Sequence, residues 1–157
     1  MQSCVNPGDG AMAAIIGLTV SQVEDLLSDF SGEGVCQIAN DNEPTQVVIS
    51  GHIADVDLMI ERAKKSGARR ALPLNVSAPF HCSLMAPAAE VMKESLRDIK
   101  IVKPRVPVVM NSRAEAVIDP EKIRKFLVDQ IVHRVRWRES IDYICANESI
   151  TFFEIGV

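Results

Sequence analysis

The sequence predicts a mixed α/β fold, and three observations carry that prediction. Over residues 10–76, short apolar runs alternate with helical patterns in the order β-α-β-β-α-β. Within that unit Ile15-Ile16-Gly17 before one helix is echoed by Val48-Ile49-Ser50-Gly51 before the next. After residue 77 the texture becomes helical with only two clear strands, too few to form a covered parallel sheet alone. The first unit therefore has the order of a ferredoxin-like split β-α-β sandwich, two helices over four antiparallel strands. The second reads as part of a larger α/β domain.

Residues 11–16 form a short apolar run closed by Gly17, as a buried strand should. Ser21-x-x-Glu24 has capping-box spacing and opens a helix with Val23, Leu26 and Leu27 on its apolar side; Gly32 and Gly34 end it. Residues 35–40 and 46–50 read as the next strands, joined by the turn chemistry of Asp41-Asn42-Glu43-Pro44. Gly51 precedes a second helix with Val56, Met59, Ile60 and Ala63 on one face and Gly67 as its C′ stop. Leu72, Leu74 and Val76 then alternate like a half-buried strand.

Ser77-Ala78-Pro79-Phe80-His81 is non-helical, and residues 84–99 regain helical periodicity, with Pro87 tolerable only near the first turn. Residues 106–110 are a short strand. Asp119-Pro120 supplies an N-cap and N1 for a helix carrying Ile123, Phe126, Leu127 and Ile131. A further helix holds Ile141, Ile144 and Cys145, and residues 150–155 read as a strand that stops at Gly156-Val157.

Hydrophobic residues make up 47% and charged residues 24% of the 157, a globular composition that excludes intrinsic disorder. Lys plus Arg is 17 against 21 Asp plus Glu, and a net charge of −4 argues against a general nucleic-acid binder. No apolar run approaches the ~20 residues that span a bilayer. Met1-Gln2-Ser3-Cys4-Val5-Asn6-Pro7 lacks a basic n-region and an apolar h-region, so no signal peptide is expected. Cys4, Cys36, Cys82 and Cys145 are scattered without a Cys-x-x-Cys pair, which fits reduced thiols in a cytosol. The three histidines are dispersed too, so no metal site is expected. The expectation is a soluble, cytoplasmic chain.

His81 is the best candidate general base, because imidazole moves protons near neutrality and a loop can present it to a cleft. The competing reading is a packed or surface histidine beside Phe80 and Cys82. Cys82 is a poor partner for it: adjacent residues on an extended segment point opposite ways, and Cys82 reads as a small buried side chain. Val132-His133-Arg134-Val135-Arg136-Trp137-Arg138 suits either a phosphate or base-stacking site or a solvated connection between helices. His52 follows Gly51 at a strand end and receives no role. Gly8-Asp9-Gly10 is a lone Gly-x-Gly, far from a phosphate-binding fingerprint. Asn40 and Asn42 flank the expected turn and suit local backbone bonds.

Longer stretches carry a resemblance. They are Gly10-Ala11-Met12-Ala13-Ala14-Ile15-Ile16-Gly17-Leu18, Asn40-x-Asn42-x-Pro44-x-Gln46-Val47-Val48-Ile49-x-Gly51 and Gly67-Ala68-x-Arg70-Ala71-Leu72-Pro73-Leu74-x-Val76-Ser77-x-Pro79. His81-Cys82-x-Leu84-Met85-x-Pro87-Ala88-Ala89, Val106-Pro107-Val108-Val109-x-Asn111, Gln130 and Val135-Arg136-Trp137-x-Glu139-Ser140 follow in order. Together they resemble the malonyl-CoA:acyl carrier protein transacylases, which load malonyl groups for fatty acid synthesis.

That resemblance implies a ferredoxin-like subdomain at 8–77 and, at 78–157, the C-terminal part of an α/β-hydrolase-like acyltransferase domain. It implies a ping-pong transfer of malonyl from CoA, through an acyl-serine, to the phosphopantetheine thiol of acyl carrier protein, with no cofactor. His81 matches the catalytic histidine, and Gln130 the residue whose backbone carbonyl orients it. Asn40 and Asn42 match a motif facing the substrate cleft. Phe80 resembles the Phe of an Ala-Phe-His signature whose bulk disfavours an α-methyl, favouring malonyl over methylmalonyl.

The departures are specific. These 157 residues contain no Gly-x-Ser-x-Gly nucleophile elbow, nor the Gly-Gln-Gly-Ser-Gln oxyanion segment. The carboxylate-pairing arginine belongs to that same missing region, and the Gly-Pro-Gly-Lys continuation does not follow Gly156-Val157. Thr45 stands where the family usually has Gly, and His133-Arg134 where it has Asn-Pro. The expectation is the C-terminal portion of a transacylase, inactive alone, whose nucleophile a separate chain could supply. A non-catalytic binding module and an inactive remnant of a split gene are the alternatives.

Overall fold

The computed structural model describes residue 5 and residues 8–30, 32–76, 78–146 and 151–156. Strands β1 (Gly10–Ile16), β2 (Cys36–Glu43), β3 (Gln46–His52) and β4 (Arg70–Pro73) form one antiparallel sheet in the order β2-β3-β1-β4, the ferredoxin-like arrangement. Helices α1 (Val20–Ser28) and α2 (Ile53–Lys65) cover one face. Side chains alternate across a strand, so Ala13 and Ile15 of β1 and Val47 and Ile49 of β3 point together at the helices. There they meet Val23 of α1 and Val56, Met59 and Ala63 of α2 in one buried cluster. Met12, Ala39 and Val48 face the other way and are covered by Phe80.

Four local expectations change. The cap of α1 is Thr19, not Ser21: its hydroxyl accepts from Gln22 N at 3.3 Å, and Gln22 Oε1 accepts from Thr19 N at 2.8 Å. The same spacing occurs in two overlapping frames, and the earlier one closes reciprocally. Strand β2 runs on to Glu43, which shrinks the turn to Pro44-Thr45 and makes Asn40 and Asn42 strand residues. The ladder with β3 extends the strand by pairing Asp41 with Val47 and Glu43 with Gln46, and on its other edge Asp41 N donates to Val135 O at 2.9 Å. Strand β4 buries Ala71 rather than Leu72, because Ala71 sits opposite Ile15 on the helix-facing side. Residues 151–155 are exposed and form no strand, and Ile150 lies outside the described residues.

The rest builds outward from the sheet. A 3₁₀ helix (Ser83–Met85) runs into α3 (Ala86–Arg97), with Pro87 in its first turn. Strand β5 (Val108–Met110) pairs with β6 (Glu115–Val117), a strand too short to show a periodic pattern in sequence. Helix α4 (Pro120–Asp129) is capped by Asp119, whose carboxylate accepts from Lys122 N at 2.8 Å. Helix α5 (Trp137–Cys145) ends this part. The second half docks on β2: Val135 N donates to Ala39 O at 2.7 Å, making a parallel bridge at Asn40. Among the described residues no helix is long and apolar enough to cross a membrane.

Candidate active site

His81 stands in a tight turn with φ +60°, the left-handed region. A non-glycine residue there costs about 1–2 kcal/mol, and such strain persists only where the surroundings over-determine it. They do so here. Pro79 is pressed so closely on β1 that a Cβ on Gly10 would collide with its ring. The buried Cys82 thiol donates to Pro79 O at 3.1 Å, and Ser83 N donates to Gln37 Oε1 of β2 at 2.7 Å. Met85 just after the turn and Ile131 just after α4 share a buried cluster, so the turn and the end of α4 meet by packing.

That packing brings His81 Nδ1 to 2.8 Å from Gln130 O. A carbonyl oxygen only accepts, so Nδ1 carries the hydrogen and the lone pair lies on Nε2. Gln130 is the C-cap of α4, and its carbonyl belongs to the helix end that lacks intrahelical partners. The half-buried imidazole is thus held in one tautomer, with Nε2 available to take a proton.

The other candidates have different places. Burial pushes the Cys82 thiol up in pKa, against opposing bonds from Ser50 and the backbone of Leu84 and Met85; it is a packed side chain. Cys36 is pushed up to about 12 by burial first, then by the charges of Asp55 and Cys82. Phe80 joins the sheet cluster to the Met85–Ile131 cluster. Asn40 and Asn42 are half-buried on β2, on either side of the fully buried Asp41. His52 Nδ1 accepts from Val35 N at 2.9 Å, and His133 Nδ1 lies 2.6 Å from Asp129 O; both fasten backbone.

The arginine run is the connection between helices α4 and α5 that one reading expected, but its arginines are ion-paired instead of solvated. Arg138 holds both carboxylate oxygens of Asp41 at 3.1 and 2.8 Å, which raises its pKa further. Arg134 pairs with Glu24 at 2.8 Å and with Glu139 at 3.2 Å, and Arg136 pairs with Glu139. The run is an ion-paired joint between α5, α1 and β2. Two features escaped the sequence. The Asp41–Arg138 pair spans 97 residues and leaves no local pattern. Asn111 donates from Nδ2 to Gln130 Oε1 at 2.9 Å; the residue stood in the Val106-to-Asn111 stretch of the resemblance, but no role followed from it. Among the described residues no group of three or more His, Cys, Asp or Glu could hold a metal ion.

A carbonyl-oriented histidine thus stands on a turn between a small antiparallel sheet and a helical layer. Residues 1–157 match the acyl transferase domain, and the chain belongs to that family. It is 43% identical over 157 residues to the malonyl CoA-acyl carrier protein transacylase of Bacillus subtilis, covering 99% of this chain and 50% of that protein. The Escherichia coli K12 transacylase is 40% identical over 156 residues, again 99% and 50%. The acyl-carrier-protein-S-malonyltransferase structure from Bartonella henselae matches with a TM-score of 0.89 and 47% identity, over 93% of this chain and 46% of that one. A malonyl-transacylase in complex with a type II PKS acyl-carrier protein matches with a TM-score of 0.89 and 38% identity, over 92% and 47%. The chain spans about half the length of the curated relatives it matches. These relatives do not favour the binding-module alternative.

Proposed function

We propose that the chain supplies the histidine side of a malonyl-CoA:acyl carrier protein transacylase in fatty acid synthesis. The contact that carries this reading is the 2.8 Å bond from His81 Nδ1–H to the Gln130 carbonyl, which leaves Nε2 basic. In that reading Nε2 removes the proton from a serine hydroxyl as its oxygen attacks the thioester carbonyl of malonyl-CoA. The C–S bond then breaks, and the imidazolium returns the proton to the leaving CoA sulfur. In the second half His81 takes the proton from the phosphopantetheine thiol, sulfur attacks the acyl-serine, and the proton returns to the serine oxygen. No cofactor enters either half.

The substrates are those in the relatives' names, malonyl-CoA and acyl carrier protein. Phe80, Asn40 and Asn42 are assigned to the substrate side of the cleft. The serine has to come from outside these 157 residues, which hold no Gly-x-Ser-x-Gly. The unit 8–77 is taken as the small subdomain and 78–157 as part of the large one.

Complementation tests the reading. The chain is co-expressed with the N-terminal half of the Bacillus subtilis relative, and transfer of labelled malonyl to acyl carrier protein is followed. The chain alone is inactive, the pair transfers, and His81→Ala lowers the pair's rate by about 10³-fold or more. Covalent malonyl labelling of the chain alone, surviving replacement of all four cysteines, would overturn the proposal. So would a complemented pair indifferent to His81→Ala.

A further inference from the structure

We infer that Asn111 is a positioning residue that sets the tautomer of His81 by fixing Gln130; the inference rests on the reading of His81 as the base. Gln130 is held at three points. Its N–H donates to Phe126 O at 3.0 Å, its carbonyl receives His81 Nδ1–H at 2.8 Å, and its side-chain oxygen receives Asn111 Nδ2 at 2.9 Å. The first continues α4 and the second is the functional contact. The third is the tether from outside the helix. Helix ends fray, and a C-cap carbonyl without such a tether is free to tilt away from the imidazole.

Asn111 is itself rigidly placed. It follows the buried Met110 at the end of β5, and its own carbonyl accepts from Arg136 N at 2.8 Å. The turn after it is closed by Arg113 N and Ala114 N on Met110 O at 3.0 and 2.8 Å, with Ala114 held at φ +55°. A second strained, over-determined turn thus backs the strained turn of His81. The chain of contacts from β5 through Asn111 and Gln130 to His81 occupies the place that a buried carboxylate fills in a serine–histidine–aspartate arrangement. Here every member is neutral, and direction comes from the carbonyl.

The bond can be made either way round. If both amides turn over, Asn111 Oδ1 accepts from Gln130 Nε2. Asn111→Asp therefore keeps the tether by accepting from a turned Gln130, whereas Asn111→Leu removes it at similar size. The readout is the long-range ¹H–¹⁵N spectrum of the His81 ring in the labelled 157-residue chain, which reports tautomer without any need for activity. The native chain shows the Nδ1–H form. Asn111→Leu raises the Nε2–H fraction several-fold, and Asn111→Asp restores the native spectrum. Gln130→Leu, which keeps the carbonyl but loses the tether, reproduces Asn111→Leu and serves if that variant does not fold. In the complemented pair Asn111→Leu lowers kcat by about 10–100-fold, by analogy with loss of the hydrogen-bond partners that orient metal-bound histidines, with KM for malonyl-CoA little changed.

A native tautomer in both leucine variants overturns the inference and leaves the proposed function standing. A shifted tautomer beside a pair indifferent to His81→Ala does the reverse: Asn111 positions a histidine that is not the base.

Discussion

At Cys36 and Cys82 burial decides the chemistry before any reagent arrives. Both thiols are held protonated, Cys36 up to about 12, while Cys145 is exposed. Iodoacetamide near neutral pH should modify Cys145 before Cys36 and Cys82, which it should reach only on unfolding, read by peptide mass; rapid alkylation of Cys82 in the folded chain contradicts this. The same shift has a pH consequence. Above the ordinary thiol value of 9.0 the unfolded chain loses the Cys36 proton while the folded chain keeps it up to about 12. The folded state then binds more protons, so stability falls as pH rises through that window. Urea unfolding on either side of pH 9 should show a steeper loss in the native chain than in Cys36→Ser. His81 was legible only in part. Residue type and loop placement made it a candidate, and family resemblance named its role. The deciding contact comes from a carbonyl 49 residues away, and backbone direction leaves no mark on side-chain sequence.

Elements reveal themselves through periodicity, and their ends through chemistry that overlapping motifs can blur. The helix faces of α1, α2 and α4 follow from 3.6-residue spacing alone, because burial rewards that spacing wherever a sheet lies beneath. The α1 cap did not follow, since Thr19-x-x-Gln22 and Ser21-x-x-Glu24 both fit the motif. Thr19→Ala should cost about 1 kcal/mol, or about 2–4 °C in Tm for a chain of this size. Ser21→Ala should stay within about 0.5 kcal/mol. Equal losses from the two would return the cap to Ser21. Strand β4 was found with its faces exchanged for a related reason. Large residues suggest the buried side, yet pairing to β1 gives the helix-facing position to the small Ala71 and leaves Leu72 outside.

The whole molecule is held together where the second half meets β2, and nothing in local sequence announces that joint. Its centre is the Val135–Ala39 and Asp41–Val135 backbone bonds and the Asp41–Arg138 pair, with Asp41 at 0% exposure, and Arg134–Glu24, Ser83–Gln37 and Phe80 add to it. A buried carboxylate stripped of its partner is costly, so Arg138→Leu should destabilise the chain by about 3–5 kcal/mol. Val135→Pro acts differently. It removes the donor to Ala39 O and biases Arg134 toward extended backbone, but leaves the sheet's own pairing intact. The sheet and its two helices have their own buried cluster, so they have the means to outlast the joint. The native chain should therefore unfold in one transition and Val135→Pro in two. In the variant, amide hydrogens of Ile15 and Ile49 should keep their protection past the first step. The His81 Nδ1–H signal should vanish within it, because the Gln130 carbonyl leaves with the second half. Simultaneous loss of both signals would mean that the sheet cannot stand without the rest, and the division near residue 77 would then be one of topology and not of stability.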